Sequence, residues 1–286
     1  AVGGNALAAN TTASSNTAVG YDSQKLTSTG TNNTSVGQNS MDANTTGASN
    51  TALGSGALGG NTTASNNTAV GKDSLKATTT GHSNTAVGKD ALKENTANYN
   101  VAVGHQALTV NTSGEDNTGV GNSALAANTT GDDNTAMGDN ALVFNTTGSS
   151  NTGLGSLALY ANTTGTNNVA VGANALDANT TASNNTALGA LALTSNTTGN
   201  FNVAAGYFAL NANTTGAKNI AVGMSALENN TTADHNTAVG NNCLVTNTTG
   251  AQNTAVGSTA LDANTTGQYN SAFGYDTLGS NTTGQA

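Results

Sequence analysis

The sequence predicts an all-β fold, a parallel β-solenoid of about 17 rungs with 17 residues per rung, and three observations lead there. The first is a unit of the form Asn-Thr-Ala-Val-Gly-x-x-Ala-Leu-x-x-Asn-Thr-Thr-Gly-x-x that runs through the chain from end to end. Self-similarity at a fixed period marks a repeat architecture, in which each unit buries its apolar face only by stacking on the next. The second is one glycine at the same place in every unit: Gly3, Gly20, Gly37, Gly54, Gly71, Gly88 and Gly104, then every 17 residues to Gly274. One spacing slips, at Glu94-Asn95-Thr96-Ala97-Asn98, where a residue is missing. The third is composition. Aromatic residues make up 3% and charged residues 7% of the chain, too few of the former for a large three-dimensional core and too few of the latter for a solvated disordered chain.

Taking the unit in order, two stretches alternate as strands do: Thr-Ala-Val before the fixed glycine and x-Ala-Leu after it. Asn, Thr and Gly elsewhere disfavour helix. In Asn16-Thr17-Ala18-Val19 the Thr and Val share one face and the Ala takes the other. The expectation is two buried apolar ladders, Val19, Val36, Leu53, Val70, Val87 and Leu58, Leu75, Leu92, Leu108. The Ala positions, Ala18, Ala52, Ala69, Ala86, Ala102 and their counterparts, hold only small residues. That restriction predicts close approach by another backbone, from the far side of the coil or, as the favoured reading, from a neighbouring chain.

The fixed glycine predicts either positive φ or no room for a Cβ. The other glycine becomes Ala at Ala13, Ala64, Ala182 and Ala233, so positive φ is not essential there. Two asparagine columns complete the unit. Asn16, Asn33, Asn50, Asn67, Asn84, Asn100, Asn117 and Asn134, continuing to Asn270, fit a ladder of amides bonded along the axis. Members of the second column, Asn44, Asn61, Asn128, Asn145, Asn162 and Asn179, begin Asn-Thr-Thr and so match the glycosylation sequon. A turn or ladder is the better default for them, because Asn and Thr also bond backbone groups at turns.

The formal net charge is −9 and the only basic residues are Lys25, Lys72, Lys76, Lys89, Lys93 and Lys218. Without a basic stripe nucleic-acid binding is not expected, and without an apolar run of about 20 residues neither is membrane insertion. The single Cys243 stands where other units carry Ala, Ser or Thr and reads as a small packed side chain. His82, His105 and His235 fall at variable positions on different units, so no metal, cofactor or catalytic constellation is expected, and the chain reads as no enzyme. Glu115-Asp116 and Asp132-Asp133 repeat in one variable turn and read as a solubilising surface. Tyr99, Tyr160, Phe201, Tyr207, Phe208, Tyr269 and Tyr275 are scattered at variable positions as well.

The recurring Asn-Thr-Ala-Val-Gly, as at residues 67–71, 84–88, 236–240 and 253–257, resembles the Asn-Ser-Val-Ala-Ile-Gly motif of YadA-like head repeats in trimeric autotransporter adhesins. It is also similar to the Asn-Thr-Ala-Val-Gly repeats of phage tail-fibre proteins and related bacterial surface fibres. The resemblance covers essentially the whole chain. It implies a left-handed parallel β-roll, three chains about one axis, and an extracellular, cell-surface or virion-surface role in attachment. Adhesin head units are shorter, and the Asn-Thr-Thr-Gly turn is additional here.

The function expected is a structural and adhesive surface fibre. It would self-associate as a homotrimer or end-to-end filament and meet cell-surface glycans or receptors through its variable turns. The alternative is an ice-binding solenoid presenting the column Thr17, Thr34, Thr51, Thr68, Thr85; it ranks second because the residue sharing that face is Val, so no Thr-x-Thr pair is displayed. Because the last residues lead in phase into Ala1-Val2-Gly3, a single continuous array over 1–286, part of a longer fibre, is also expected.

Overall fold

The computed structural model describes residues 1–285 and holds an all-β solenoid with one short strand per repeat. Its contacts divide it into two units, residues 1–147 and 148–286. In the first, strands Thr17–Val19, Thr34–Val36, Thr51–Leu53, Thr68–Val70, Thr85–Val87, Val101–Val103, Thr118–Val120 and Thr135–Met137 (β1 to β8) pair in parallel, each with the next. The register is one repeat, so Thr51 faces Thr68, Ala52 faces Ala69 and Leu53 faces Val70. In the second unit Thr152–Leu154, Val169–Val171, Thr186–Leu188, Val203–Ala205, Ile220–Val222, Thr237–Val239, Thr254–Val256 and Ser271–Phe273 (β9 to β16) pair the same way. The first of the expected rungs contributes a single bridge, Val2 to Val19, in place of a strand.

The interior differs from the expectation in one decisive respect: it is the alanines that point inward. Ala52, Ala69, Ala86, Ala102 and Ala136 are fully buried within their own coil, whereas Val19, Val36, Leu53, Val87 and Met137 are exposed. The alternation was read correctly and its polarity was not. The reason is the width of the coil. A Cβ placed on Gly119, which occupies this column, would lie 3.2 Å from the carbonyl oxygen of Ala124 and 3.4 Å from Leu108 Cδ1, so the strand already rests on the opposite wall and only a methyl fits. The backbone that limits this column belongs to the same chain, and the assignment of these alanines to an interface between chains is thereby corrected.

The leucine ladder is buried as expected: Leu58, Leu75, Leu92, Leu108, Leu125 and Leu142 have no exposed surface. The x-Ala-Leu stretch is not a strand, however. From Leu7 to Leu278 this column sits at φ +49 to +55, and the residue two places before it, such as Asn39, Asp73 or Asn140, is also left-handed. A left-handed bulky residue costs about 1–2 kcal/mol. The arc holds because its amides bond between rungs: Leu58 N–H donates to the Ser74 carbonyl at 3.0 Å, and Asp73 N–H to that of Ser55 at 3.0 Å.

Both reasons anticipated for the fixed glycine apply together. Its φ lies between +123° and +145° along the chain, and a Cβ on Gly155 would stand 2.6 Å from the Gly172 carbonyl oxygen. No L side chain satisfies either condition at low cost.

The asparagine columns supply the polar half of the interior. Asn33 Nδ2 donates to the Gly47 carbonyl at 2.8 Å, and its Oδ1 accepts from the backbone N–H of Asn50 at 2.9 Å. In the second column the amides bond one another, Asn61 to Asn44 at 2.8 Å and Asn128 to Asn111 at 2.8 Å. Asn44, Asn61, Asn128, Asn145, Asn162 and Asn179 are all fully buried. The Nδ2 that would carry a sugar is hydrogen-bonded inside the coil in each of them. The sequon match is therefore a by-product of ladder chemistry, and a glycan at any of these six is incompatible with the folded rung.

Candidate functional surface

Because alanine faces inward, every strand turns its first and third residues outward. In the first unit the third residues, Val19, Val36, Leu53, Val70, Val87, Val103, Val120 and Met137, form an unbroken apolar column on the outer sheet face. The column is a little over one-third exposed, from 36% at Val87 to 51% at Met137, with Val70 and Val120 slightly more covered. In the second unit it runs Leu154, Val171, Leu188, Ala205, Val222, Val239, Val256 and Phe273. Beside it stands the first-residue column, threonine in most rungs and Val101, Val169, Val203 or Ile220 in others.

Two threonine columns behave differently. Those opening the Thr-Thr-Gly turn are tied into the coil: the hydroxyls of Thr45 and Thr129 donate to the carbonyls of Thr62 and Thr146, each at 2.9 Å. The sheet hydroxyls of Thr17, Thr34, Thr51, Thr68 and Thr85 take no part in any hydrogen bond among the described residues and face solvent in register.

On the arc between the fixed glycine and the second asparagine column lies a feature that sequence reasoning missed. Three rungs carry an Asp–Lys pair there: Asp22 with Lys25 at 3.3 Å, Asp73 with Lys76 at 3.0 Å and Asp90 with Lys93 at 3.7 Å. In the rung from Asn50 to Asn66 the corresponding places are Gly56 and Gly59, followed by Gly60. Where neighbouring rungs project side chains this rung has none, and a cleft of about 760 Å³ opens. Gln38, Asn39 and Asp42 form one wall and Lys72, Asp73 and Lys76 the other, with Lys93 and Glu94 beyond. The signal was present in Ser55-Gly56-Ala57-Leu58-Gly59-Gly60, the one rung with glycine at all three positions. It was overlooked because glycine reads as backbone chemistry before it reads as missing volume. Burial holds the Asp42 carboxyl above the usual carboxylate range, with lesser opposing help from the backbone amides of Asp42 and Ala43.

The residues singled out for chemistry prove dispersed. His82 packs edge-on against Tyr99, ring centroids 5.1 Å apart, and His105 Nδ1 lies 3.3 Å from Asn122 Oδ1. Among the described residues no three His, Cys, Asp or Glu side chains gather as metal ligands. Glu115 and Asp132 act as rung-to-rung acceptors. Asn98 Nδ2 donates to Glu115 Oε1 at 2.7 Å, and the Glu115 N–H donates to Asp132 Oδ1 at 2.9 Å. Asp116 and Asp133 follow in left-handed conformation. Tyr99, Phe201, Tyr207, Tyr269 and Tyr275 are exposed, and Tyr207 meets Phe208 edge-to-face at 4.3 Å. Cys243 is buried, its Sγ 3.2 Å from the Ala255 carbonyl, and burial pushes its thiol up to about 11, so it is an unreactive packing group at neutral pH. No helix among the described residues is long and apolar enough to cross a membrane. Compared with known protein families and with curated proteins, the chain matches none.

Proposed function

We propose that the chain is a non-enzymatic structural and adhesive fibre segment whose outward sheet face is buried against other copies of itself, as a homotrimer. The apolar column from Val19 to Met137 is the observation that carries this reading. A fully buried Val or Leu contributes about 1.5–3 kcal/mol, so a column roughly one-third uncovered leaves about 0.5–1 kcal/mol per rung still to be gained. Over β1 to β8 that amounts to about 4–8 kcal/mol, within the range that association costs in lost translation and rotation, so one unit of stripe is near break-even and repetition favours assembly. One apolar face per rung, repeated in register, suits a closed arrangement about a common axis. The resemblance to adhesin heads and tail fibres supports three chains and a place outside the cell or on a virion. Attachment then runs through the variable turns, many weak contacts adding by simultaneous engagement.

The mass of the purified chain in solution tests this. A trimer is expected, and Val70→Lys with Val87→Lys, both on the outer face, should yield folded monomers. A wild-type chain that is monomeric at all concentrations overturns the assembly reading.

A second reading has its own observation: the unpartnered sheet hydroxyls, repeated at strand spacing of about 4.8 Å beside valine methyls, form a regular in-register array of the kind that could order water. A thermal-hysteresis measurement decides it. Hysteresis abolished by Thr51→Lys and Thr68→Lys would favour ice binding over the fibre, and its absence in the wild type removes the reading.

A further inference from the structure

We infer that the cleft cut by Gly56, Gly59 and Gly60 is a binding site for a short neutral carbohydrate, an inference that names the ligand class of the attachment reading above and rests on it. The shape argument comes first. The cleft of about 760 Å³ falls within the range of about 300–1,000 Å³ typical of small-molecule sites. It exists because side chains are missing in one rung and not because the backbone departs from the coil. Gly60 N–H still donates to the Lys76 carbonyl at 2.8 Å and Leu58 N–H to that of Ser74 at 3.0 Å. The floor therefore keeps the regular backbone hydrogen bonding of the coil.

The lining selects the ligand. Asp73 and Lys76 are engaged with each other, but Lys72, Asp42 and Glu94 belong to no ion pair among the described residues. Amides from Gln38 and Asn39 and the Ser55 hydroxyl complete a surface that mixes donors with acceptors. An anion would face Asp42, Asp73 and Glu94, and a cation would face Lys72, Lys76 and Lys93. An apolar ligand would meet the Ala77 methyl, the glycine Cα atoms and the lysine stems, but would leave the amides and charges of both walls without partners. A molecule covered in hydroxyls, each both donor and acceptor, meets every one of these groups without an opposed charge. Desolvation already weighs on Asp42, which holds a carboxyl above its usual range where a sugar hydroxyl would lie within reach.

The test begins with the full chain on an array of immobilised neutral, sialylated and sulfated oligosaccharides. It continues with calorimetric titration of the best neutral oligosaccharide. Gly59→Gln should fill the cleft at the cost of a shift of a few tenths of an ångström, since a Cβ there meets the Gly56 carbonyl oxygen at 3.2 Å, Asp42 Oδ1 at 3.5 Å and the Asn39 carbonyl oxygen at 3.6 Å, and φ is not positive. The pair Asp42→Asn and Lys72→Gln removes one charge from each wall, and asparagine keeps an Oδ1 acceptor for the backbone amides of Asp42 and Ala43. The expectation is binding to neutral oligosaccharides, weakened at least tenfold by either variant, with unchanged circular dichroism and little dependence on salt. Neutral-sugar binding that survives both variants overturns the cleft assignment while leaving attachment intact. Binding only to sulfated or sialylated glycans, or to none, overturns the ligand class, and a chain that also fails to adhere to any cell surface removes the attachment reading with it.

Discussion

Thr78 interrupts the second asparagine column, and replacing it should stabilise the coil. Where one asparagine follows another in that column, the later amide donates to the Oδ1 of the rung before, as Asn61 does to Asn44 at 2.8 Å, and Asn145 to Asn128 at 2.9 Å. Where Thr78 stands the chain is broken: its hydroxyl donates instead to the Asn95 carbonyl at 2.7 Å, and Asn61 Oδ1 is left buried without a partner. An orphaned buried acceptor costs about 1–3 kcal/mol, and the lost threonine bond returns part of that, so Thr78→Asn should gain about 1 kcal/mol. The reverse change elsewhere provides the control. Asn128→Thr removes the donor to Asn111 Oδ1 at 2.8 Å, the bond to the Gly131 carbonyl at 3.0 Å and the acceptor for Asn145. It should cost about 1–3 kcal/mol. Thermal unfolding followed by circular dichroism gives the global effect, about 2–4 °C per kcal/mol for a chain of this order. Amide hydrogen exchange locates it at rungs 61 and 78. If both substitutions shift the midpoint in the same direction, the amide column is not the source of stability argued here.

Three further outcomes follow from the same geometry. Gly155→Ala should destabilise the second unit by about 1–3 kcal/mol or more, since φ +136° and a Cβ 2.6 Å from the Gly172 carbonyl oxygen act together; a denaturant midpoint unchanged from wild type would contradict this. Ala136→Leu should overpack the coil by about 1–3 kcal/mol and do so equally in a monomeric background, because Ala136 is buried within one chain; loss of assembly without loss of fold would return that column to the interface. The Cys243 thiol is raised in the folded state, so its stabilising share is complete below the ordinary value of 9.0 and is lost as pH rises through about 11. Cys243→Ala should therefore flatten the alkaline limb of a stability-versus-pH curve, and an unchanged limb would refute burial of the thiol.

What the sequence disclosed and what it hid differ in kind. Columns of one residue type, such as the fixed glycine and both asparagines, were legible because translation along the axis forces like to sit on like. Which face of Thr-Ala-Val points inward was not. Valine is the more apolar residue, and only the width of the coil, set by Leu108 reaching toward Gly119, shows that nothing larger than a methyl fits. The leucine arc was misread as strand because hydrophobic order carries no sign of φ. A clue did lie two residues upstream, where Asp22, Asn39, Asp73 and Asn140 are types that tolerate left-handed backbone. The cleft was hidden by a search for unusual side chains where the signal was their absence.

The irregular rungs have a consequence for how the chain finds its own alignment. A strand that docks one whole repeat too early or too late meets the same Thr-Ala-Val and the same amides, so misregistration over most of this molecule would go almost unopposed. Residues that break the pattern act as keys. Ser23 and Ser35 share a hydrogen bond of 2.7 Å inside the coil, Ser35 bonds Ser40 in turn, and Gln24 Nε2 reaches the Thr17 carbonyl at 2.8 Å. Slipped by one repeat, Ser23 would face Ala52 and Ala57 and lose both serine partners, falling back on a backbone carbonyl as Ser74 does with that of Gly71 at 2.9 Å, a loss of about 0.5–1.5 kcal/mol. A handful of such mismatches suffices to single out one threading from many near-equal ones, so the least repetitive rungs set the phase for all the others.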